Sequence, residues 1–208
     1  MEKIIPVFPL KLVVFPESVY PLHIFEERYK TLINSSIEND SEFGIVARIE
    51  GRMQKIGSIV AVRSVFKKYE DGRMDISVKA LKRFSILETR KTTNGVIAAR
   101  IENYADLSPF ADDDYQLKLK EKFLNFIRKF ELELNDAFWR NYEERSAKSY
   151  KIAEKAGLNL EQQQILLSYR SEEARIRFLF DHLNRFEQML SEKIANRKLI
   201  IGDGYLDK

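Results

Sequence analysis

Phe8-Pro9-Leu10-Lys11-Leu12-Val13-Val14-Phe15-Pro16-Glu17-Ser18-Val19-Tyr20-Pro21-Leu22-His23-Ile24-Phe25-Glu26-Glu27-Arg28-Tyr29 is the stretch whose reading decides the fold. Pro9, Pro16 and Pro21 cut an apolar run into short extended pieces, because proline fixes φ and has no N–H to give a ladder. After Pro21 the apolar positions Phe25, Tyr29, Leu32, Ile33 and Ile37 fall on one helix face. The stretch predicts two edge-like strands feeding a helix over about residues 25–38.

Downstream, the period stays that of strands to about Tyr104. Phe43–Ile49 and Ile56–Val62 are short apolar runs. Met74, Ile76, Val78 and Ala80 alternate with Asp75, Ser77 and Lys79, as in a strand with one buried face. Asp71-Gly72 separates that strand from Val65–Tyr69 and predicts a hairpin, since glycine tolerates positive φ. Phe84–Leu87 and Val96–Ile101 complete a set of close-spaced strands that suits a small barrel, with the first helix covering one end.

After Asp106-Leu107-Ser108-Pro109 the period becomes helical. Asp112, Asp113 and Asp114 suit a helix N-terminus, and Leu119, Phe123, Ile127, Phe130 and Leu134 follow at steps of three or four. A second helix is expected over 147–156 with Gly157 as its stop. Asn159 and Gln162 form a capping-box pattern, and Ser171-Glu172-Glu173 precedes a last long helix carrying Ile176, Leu179, Leu183, Phe186 and Leu190. The fold class is α+β, with a strand subdomain at 1–108 and a helical bundle at 109–208. The apolar tail 199–206 reads as a segment docked on the barrel, or as a partner-binding tail.

Composition narrows the function classes. The chain has 208 residues, 44% hydrophobic and 12% aromatic, enough to bury a core and too apolar for disorder. Without cysteine it forms neither disulfides nor thiolate metal sites. The N-terminus lacks a signal-peptide core and no apolar run approaches ~20 residues, so a cytoplasmic, non-membrane protein is expected. A net charge of +3 on 67 charged side chains is no nucleic-acid signature.

Chemistry is not announced either. No Gly-Lys-Ser/Thr phosphate loop and no His-Glu-x-x-His helix occurs. His23 reads as a strand residue with one ring nitrogen satisfied, and His182 as a surface or bundle-edge group. Glu26-Glu27 and Glu131 with Glu133 do not share a helix face. No catalytic, cofactor or metal residue is expected. Lys67, Lys68, Arg73, Lys79, Lys82 and Arg83 cluster around the hairpin, as an edge-protecting surface or an approach for RNA phosphates.

The opening stretch, Phe43–Val46, Ile56–Val62, the Asp71-Gly72 hairpin with Ile76–Phe84, and the helical run from Leu158 to Phe186 together resemble the N-terminal substrate-binding domain of Lon proteases in a stand-alone bacterial form. Glu17-Ser18 and Ala80 depart from the glycines common there. The resemblance implies a PUA-like pseudobarrel followed by helices, without the ATPase and protease of Lon, that engages unfolded or extended polypeptide and works beside a separate protease or chaperone. The physical form expected for such binding is an apolar groove between barrel and helices, or an exposed strand edge that pairs with an extended peptide. Phe15, Phe25, Arg28 and Tyr29 are the candidate peptide contacts; the competing reading makes the aromatics core and Arg28 a structural tie. The alternative function is a PUA-like RNA-binding protein.

Overall fold

The computed structural model describes residues 2–202, with side chains to residue 194. Its strands are β1 (Lys3–Leu10), β2 (Val19–Ile24), β3 (Phe43–Ile49), β4 (Arg52–Lys68), β5 (Met74–Lys91) and β6 (Ile97–Asn103). Helix α1 (Glu27–Glu38) lies between β2 and β3. The helical part comprises α2 (Asp113–Lys129), α3 (Asp136–Glu144), α4 (Lys148–Ala153), α5 (Leu160–Ser168) and α6 (Glu172–Gly202). The apolar tail 199–206 lies outside the residues whose side chains are described.

The sheet order is β2-β5-β4-β3-β1-β6, and β5 also pairs with β6. Five strands therefore close a ring, and β2 is appended to the first half of β5. Closure removes most of the open edge that a flat sheet would present. The expected α+β architecture holds.

The first expected edge strand is not an edge of this ring. β1 runs parallel to β3 through Val7–Leu10 and antiparallel to β6 through Lys3–Val7. Only Val7 belongs to both ladders. Pro6 pairs only toward β6 and Pro9 only toward β3, so each proline sits where one side needs no donor. The strand is edge-like residue by residue while central in the ring.

Inside the ring, Ile5, Val7, Val46, Ile59, Phe84, Ala99 and Ile101 form one core cluster. Gly44 and Gly57 make room for the Phe84 ring: a Cβ on Gly44 would lie 2.7 Å from Phe84 Cζ, and one on Gly57 3.0 Å from it. A second cluster joins Phe8, Ile24, Ile33, Phe43, Met74 and Ile76 with Tyr29 and Leu32 of α1. The loop between β1 and β2 is drawn inward as well, with Val13, Val14 and Phe15 buried and the Ser58 hydroxyl donating to the Val14 carbonyl at 2.5 Å.

The chain forms two compact units, Met1–Leu107 with Asn159–Arg170, and Ser108–Leu158 with Ser171–Lys208. The strand unit thus takes back α5 from the expected helical half. The reason is chemical. Arg83, expected on a surface patch, is buried and donates at 2.6 Å to the carbonyls of Leu167 and Tyr169, while its other nitrogen pairs with Asp106. These are the orphan carbonyls at the end of α5, and a guanidinium is a suitable cap for them. Tyr104 donates to the Ser168 carbonyl, and Gln164 to that of Ile56.

In the second unit the buried Glu172 carboxylate accepts from the Ser149 N–H and hydroxyl, at 2.9 and 2.7 Å, and from Arg175, joining α4 to α6. Arg175 is fully enclosed, with its guanidinium 4.5 Å from the Tyr150 ring centroid. His182, expected as a surface or bundle-edge group, is buried: its Nε2 lies 2.8 Å from the Ala156 carbonyl oxygen, and it stacks on Phe186. With a carbonyl as partner, Nε2–H is the donor. Burial pushes the His182 pKa below its usual 6.5, so the unfolded chain takes up a proton more readily than the folded one. Stability contributed by the neutral ring is complete above pH 6.5 and is lost as pH falls from there toward the folded value. The expected slope is at most ~1.4 kcal/mol per pH unit. His182→Gln should flatten it, read as the pH dependence of unfolding followed by fluorescence of Trp139, the one tryptophan.

Candidate functional site

Beyond Val60, β4 pairs only with β5, and β5 is flanked on its other side by β2. The three strands form an arm outside the closed ring. Its inner face carries Tyr20, Leu22, Ile24, Met74, Ile76 and Val78, which pack with α1 in the second core cluster. Its outer face follows from the alternation and register. His23 opposes Asp75, and Asp75 opposes Lys67. Pro21, Ser77 and Ser64 make the next row, and Val19, Lys79 and Ala61 the one after.

Side chains on that face are held in place. His23 Nδ1 lies 2.6 Å from Asp75 Oδ1, and the Tyr69 hydroxyl donates to Asp75 Oδ2 at 2.7 Å. These donors, His23 first and Tyr69 second, hold the Asp75 carboxyl below its usual pKa. The ionised carboxylate accepts only, so Nδ1–H of His23 donates. The His23 ring lies edge-on to Tyr69 and stacked toward Phe25, with both centroid separations 6.0 Å. Lys67 Nζ sits 4.4 Å from the Tyr69 centroid and the Arg73 guanidinium 5.1 Å from it. Phe25 is 61% exposed beside this rack. The arrangement offers a flat aromatic contact framed by cations. It holds no nucleophile activated by a base.

The four sequence-derived candidates do not converge here. Phe15 and Tyr29 are core residues, 1% and 4% exposed; Tyr29 stacks on Phe8 at 3.7 Å. An incoming peptide cannot touch either without opening the unit. Arg28 bonds Glu26 at 2.6 Å, lies over the Tyr29 ring and donates to the Gly95 carbonyl at 3.4 Å, a tie between α1 and the β5–β6 turn. Phe25 alone of the four is freely presented, because it precedes α1 and leaves the helix face it was assigned to. His23, Tyr69 and Asp75 were missed; the alternation of Asp75 with Met74 and Ile76 placed it on the outer face, but its partners are remote in sequence.

The arm's open sides are unsuited to strand addition. β2 carries Pro21. On β4, register shifts leave Arg63 and Phe66 without a cross-strand partner, and Lys67 and Lys68 follow. Proline, irregular register and lysine are the devices that blunt exposed edges. What the arm leaves open is its side-chain face.

Other features are weaker. In the first unit, Ile4, Glu88, Thr89, Arg90, Ala98 and Arg100 line a cavity of about 140 Å³. In the second, a cavity of about 320 Å³ is lined by Tyr115, Lys118, Ile176, Arg177, Phe180 and Asp181. Among the described residues no group of three or more His, Cys, Asp or Glu is placed to hold a metal ion. No helix among them is long and apolar enough to cross a membrane.

Comparison with known proteins gives a consistent answer. The family described as the ATP-dependent protease La (LON) substrate-binding domain matches residues 4–185. Cereblon from Xenopus tropicalis is 28% identical over 103 residues, which is 47% of this chain and 23% of that protein. Cereblon from Gallus gallus is 25% identical over 105 residues, or 48% and 24%. The match thus spans about a quarter of these relatives. Two solved structures share the fold. The Lon N-terminal domain protein from Xanthomonas campestris gives a TM-score of 0.67 at 22% identity, covering 86% of this chain and 98% of that one. The N-terminal domain of the Mycobacterium avium complex Lon protease gives 0.66 at 18%, covering 88% and 98%.

Proposed function

Because the chain belongs to the family of Lon substrate-binding domains, we propose that it is a non-enzymatic module that docks unfolded or extended polypeptide on the outer face of the β2–β5–β4 arm. The observation that carries this reading is Phe25, an aromatic ring left 61% in water next to a rack of His23, Tyr69 and Asp75 that is already ordered. Ordered aromatic surface costs little entropy to use and is the usual anchor of a binding patch. An aromatic contact on an open face is within reach of apolar side chains that an unfolded partner exposes and a folded one buries.

The test is retention of a chemically unfolded protein on the immobilised chain, with the same protein folded as control. Preferential retention of the unfolded form is expected; equal retention would sink the reading. Phe25→Ser should weaken binding of an extended peptide by about tenfold, the effect of losing a moderate hot spot. Its unfolding midpoint should move little, since most of the ring is already in water in the free protein. A shifted midpoint with unchanged affinity would make Phe25 a structural residue instead.

A further inference from the structure

We infer that the segment preferred by this face is acidic as well as extended, an inference that rests on the polypeptide-docking reading. Residues 61–82 carry six cations against three carboxylates, a net charge equal to the +3 of the whole chain. Two of those carboxylates are engaged: Asp71 by Arg73 at 2.6 Å, and Asp75 by His23 and Tyr69. Arg63, Lys67, Lys68, Lys79 and Lys82 have no carboxylate within ion-pairing distance among the described residues. The outer face of the arm thus presents Lys67 and Lys79, neither ion-paired, next to an exposed aromatic ring.

Register turns that charge into a spacing. Lys67 lies on the His23–Asp75 row, and Lys79 two rows along, opposite Val19. Rows on one face recur every ~6.8 Å, twice the ~3.4 Å rise per residue of an extended chain. Two carboxylates four residues apart in an extended peptide would therefore meet Lys79 and Lys67 together. An apolar or aromatic residue two positions further would meet Phe25. The pattern is acid, three residues, acid, one residue, aromatic.

Peptide fits better than RNA. Asp75 and Asp71 stand among the cations, and a phosphate chain with a charge at every nucleotide would run over them. A peptide places an uncharged residue there.

The experiment is fluorescence anisotropy with labelled peptides of about twelve residues: one carrying this pattern with Glu and Phe, one with each Glu as Gln, one with each Glu as Lys, and a single-stranded RNA of similar length. At low salt the acidic peptide should bind at least about tenfold tighter than its Gln version, and added salt should shrink the advantage. The double variant Lys67→Gln, Lys79→Gln should bring the affinities of the Glu and Gln peptides to within about twofold of each other; both lysines are exposed, and a matching thermal midpoint checks the fold. Equal binding of the Glu and Gln peptides overturns the acidic preference and leaves polypeptide docking standing. Binding of no peptide removes both. Tighter, salt-steep binding of the RNA overturns the peptide assignment.

Discussion

Gly57→Ala is expected to lower the stability of the strand unit by about 3 kcal/mol or more, toward the upper end of what overpacking a filled core costs. The added Cβ would fall within contact distance of the Ile45 carbonyl oxygen and 2.5 Å from Val46 Cγ1. Ile45 and Val46 belong to β3, whose backbone is pinned by ladders to β1 and β4. A backbone oxygen in a closed ring cannot retreat as a side chain can. Gly44 supplies the control. A Cβ there meets side-chain atoms, Phe84 Cζ at 2.7 Å and Ile5 Cδ1 at 3.1 Å. Phe84→Leu should therefore recover part of the loss caused by Gly44→Ala, and little of that caused by Gly57→Ala. Urea unfolding followed by far-ultraviolet circular dichroism measures all four variants. Full rescue of Gly57→Ala by Phe84→Leu would show that the ring, not the strand backbone, sets the limit.

Arg175→Ala should cost ~3–5 kcal/mol in the second unit, because it leaves the Glu172 carboxylate buried without its cation. Glu172 would keep the two donors from Ser149, which hold it in place without neutralising it. The paired variant Glu172→Gln, Arg175→Met should lose less than the sum of the single changes, since an amide can still bond Ser149 and a thioether can fill the space beside Tyr150. Trp139 reads this unit by itself, sitting within 5.1 Å of Phe138 and 6.0 Å of Tyr142 by ring centroids. Additive losses would mean the two side chains do not act on each other.

Much of the architecture was legible because the local signals were strong and agreed with the final packing. β3 spans the predicted Phe43–Ile49, and the hairpin turns at Gly72, whose φ is +80°. The capping box at Asn159 and Gln162 is formed in both directions. Gly157, with φ +71°, is pinned by the Phe186 ring as well as by its backbone. What failed were stops and partners. The run Leu119–Leu134 was read as one helix, but the chain leaves it at Phe130 and turns through Glu131 at φ +52° before α3 begins behind its Asn135 cap. A non-glycine residue in the left-handed region gives no composition signal. Arg83 and His182 are polar residues whose burial depends on carbonyls 84 and 26 residues away. Periodicity cannot see such pairs. The candidate site was legible only through Phe25; Tyr69, His23 and Asp75 are ordinary residues until the register of three strands brings them together.

The return of residues 159–170 to the strand unit has a consequence for biosynthesis. A nascent chain whose residues 1–107 have left the ribosome holds every strand yet lacks the carbonyls that receive Arg83. At ~5–20 residues per second, the 63 residues from 108 to 170 take the ribosome about 3–13 s to add. Through that interval Asp106 is already at hand for one guanidinium nitrogen, but the other has only water to bond, so the last contact of the strand unit waits on translation and not on the strands themselves.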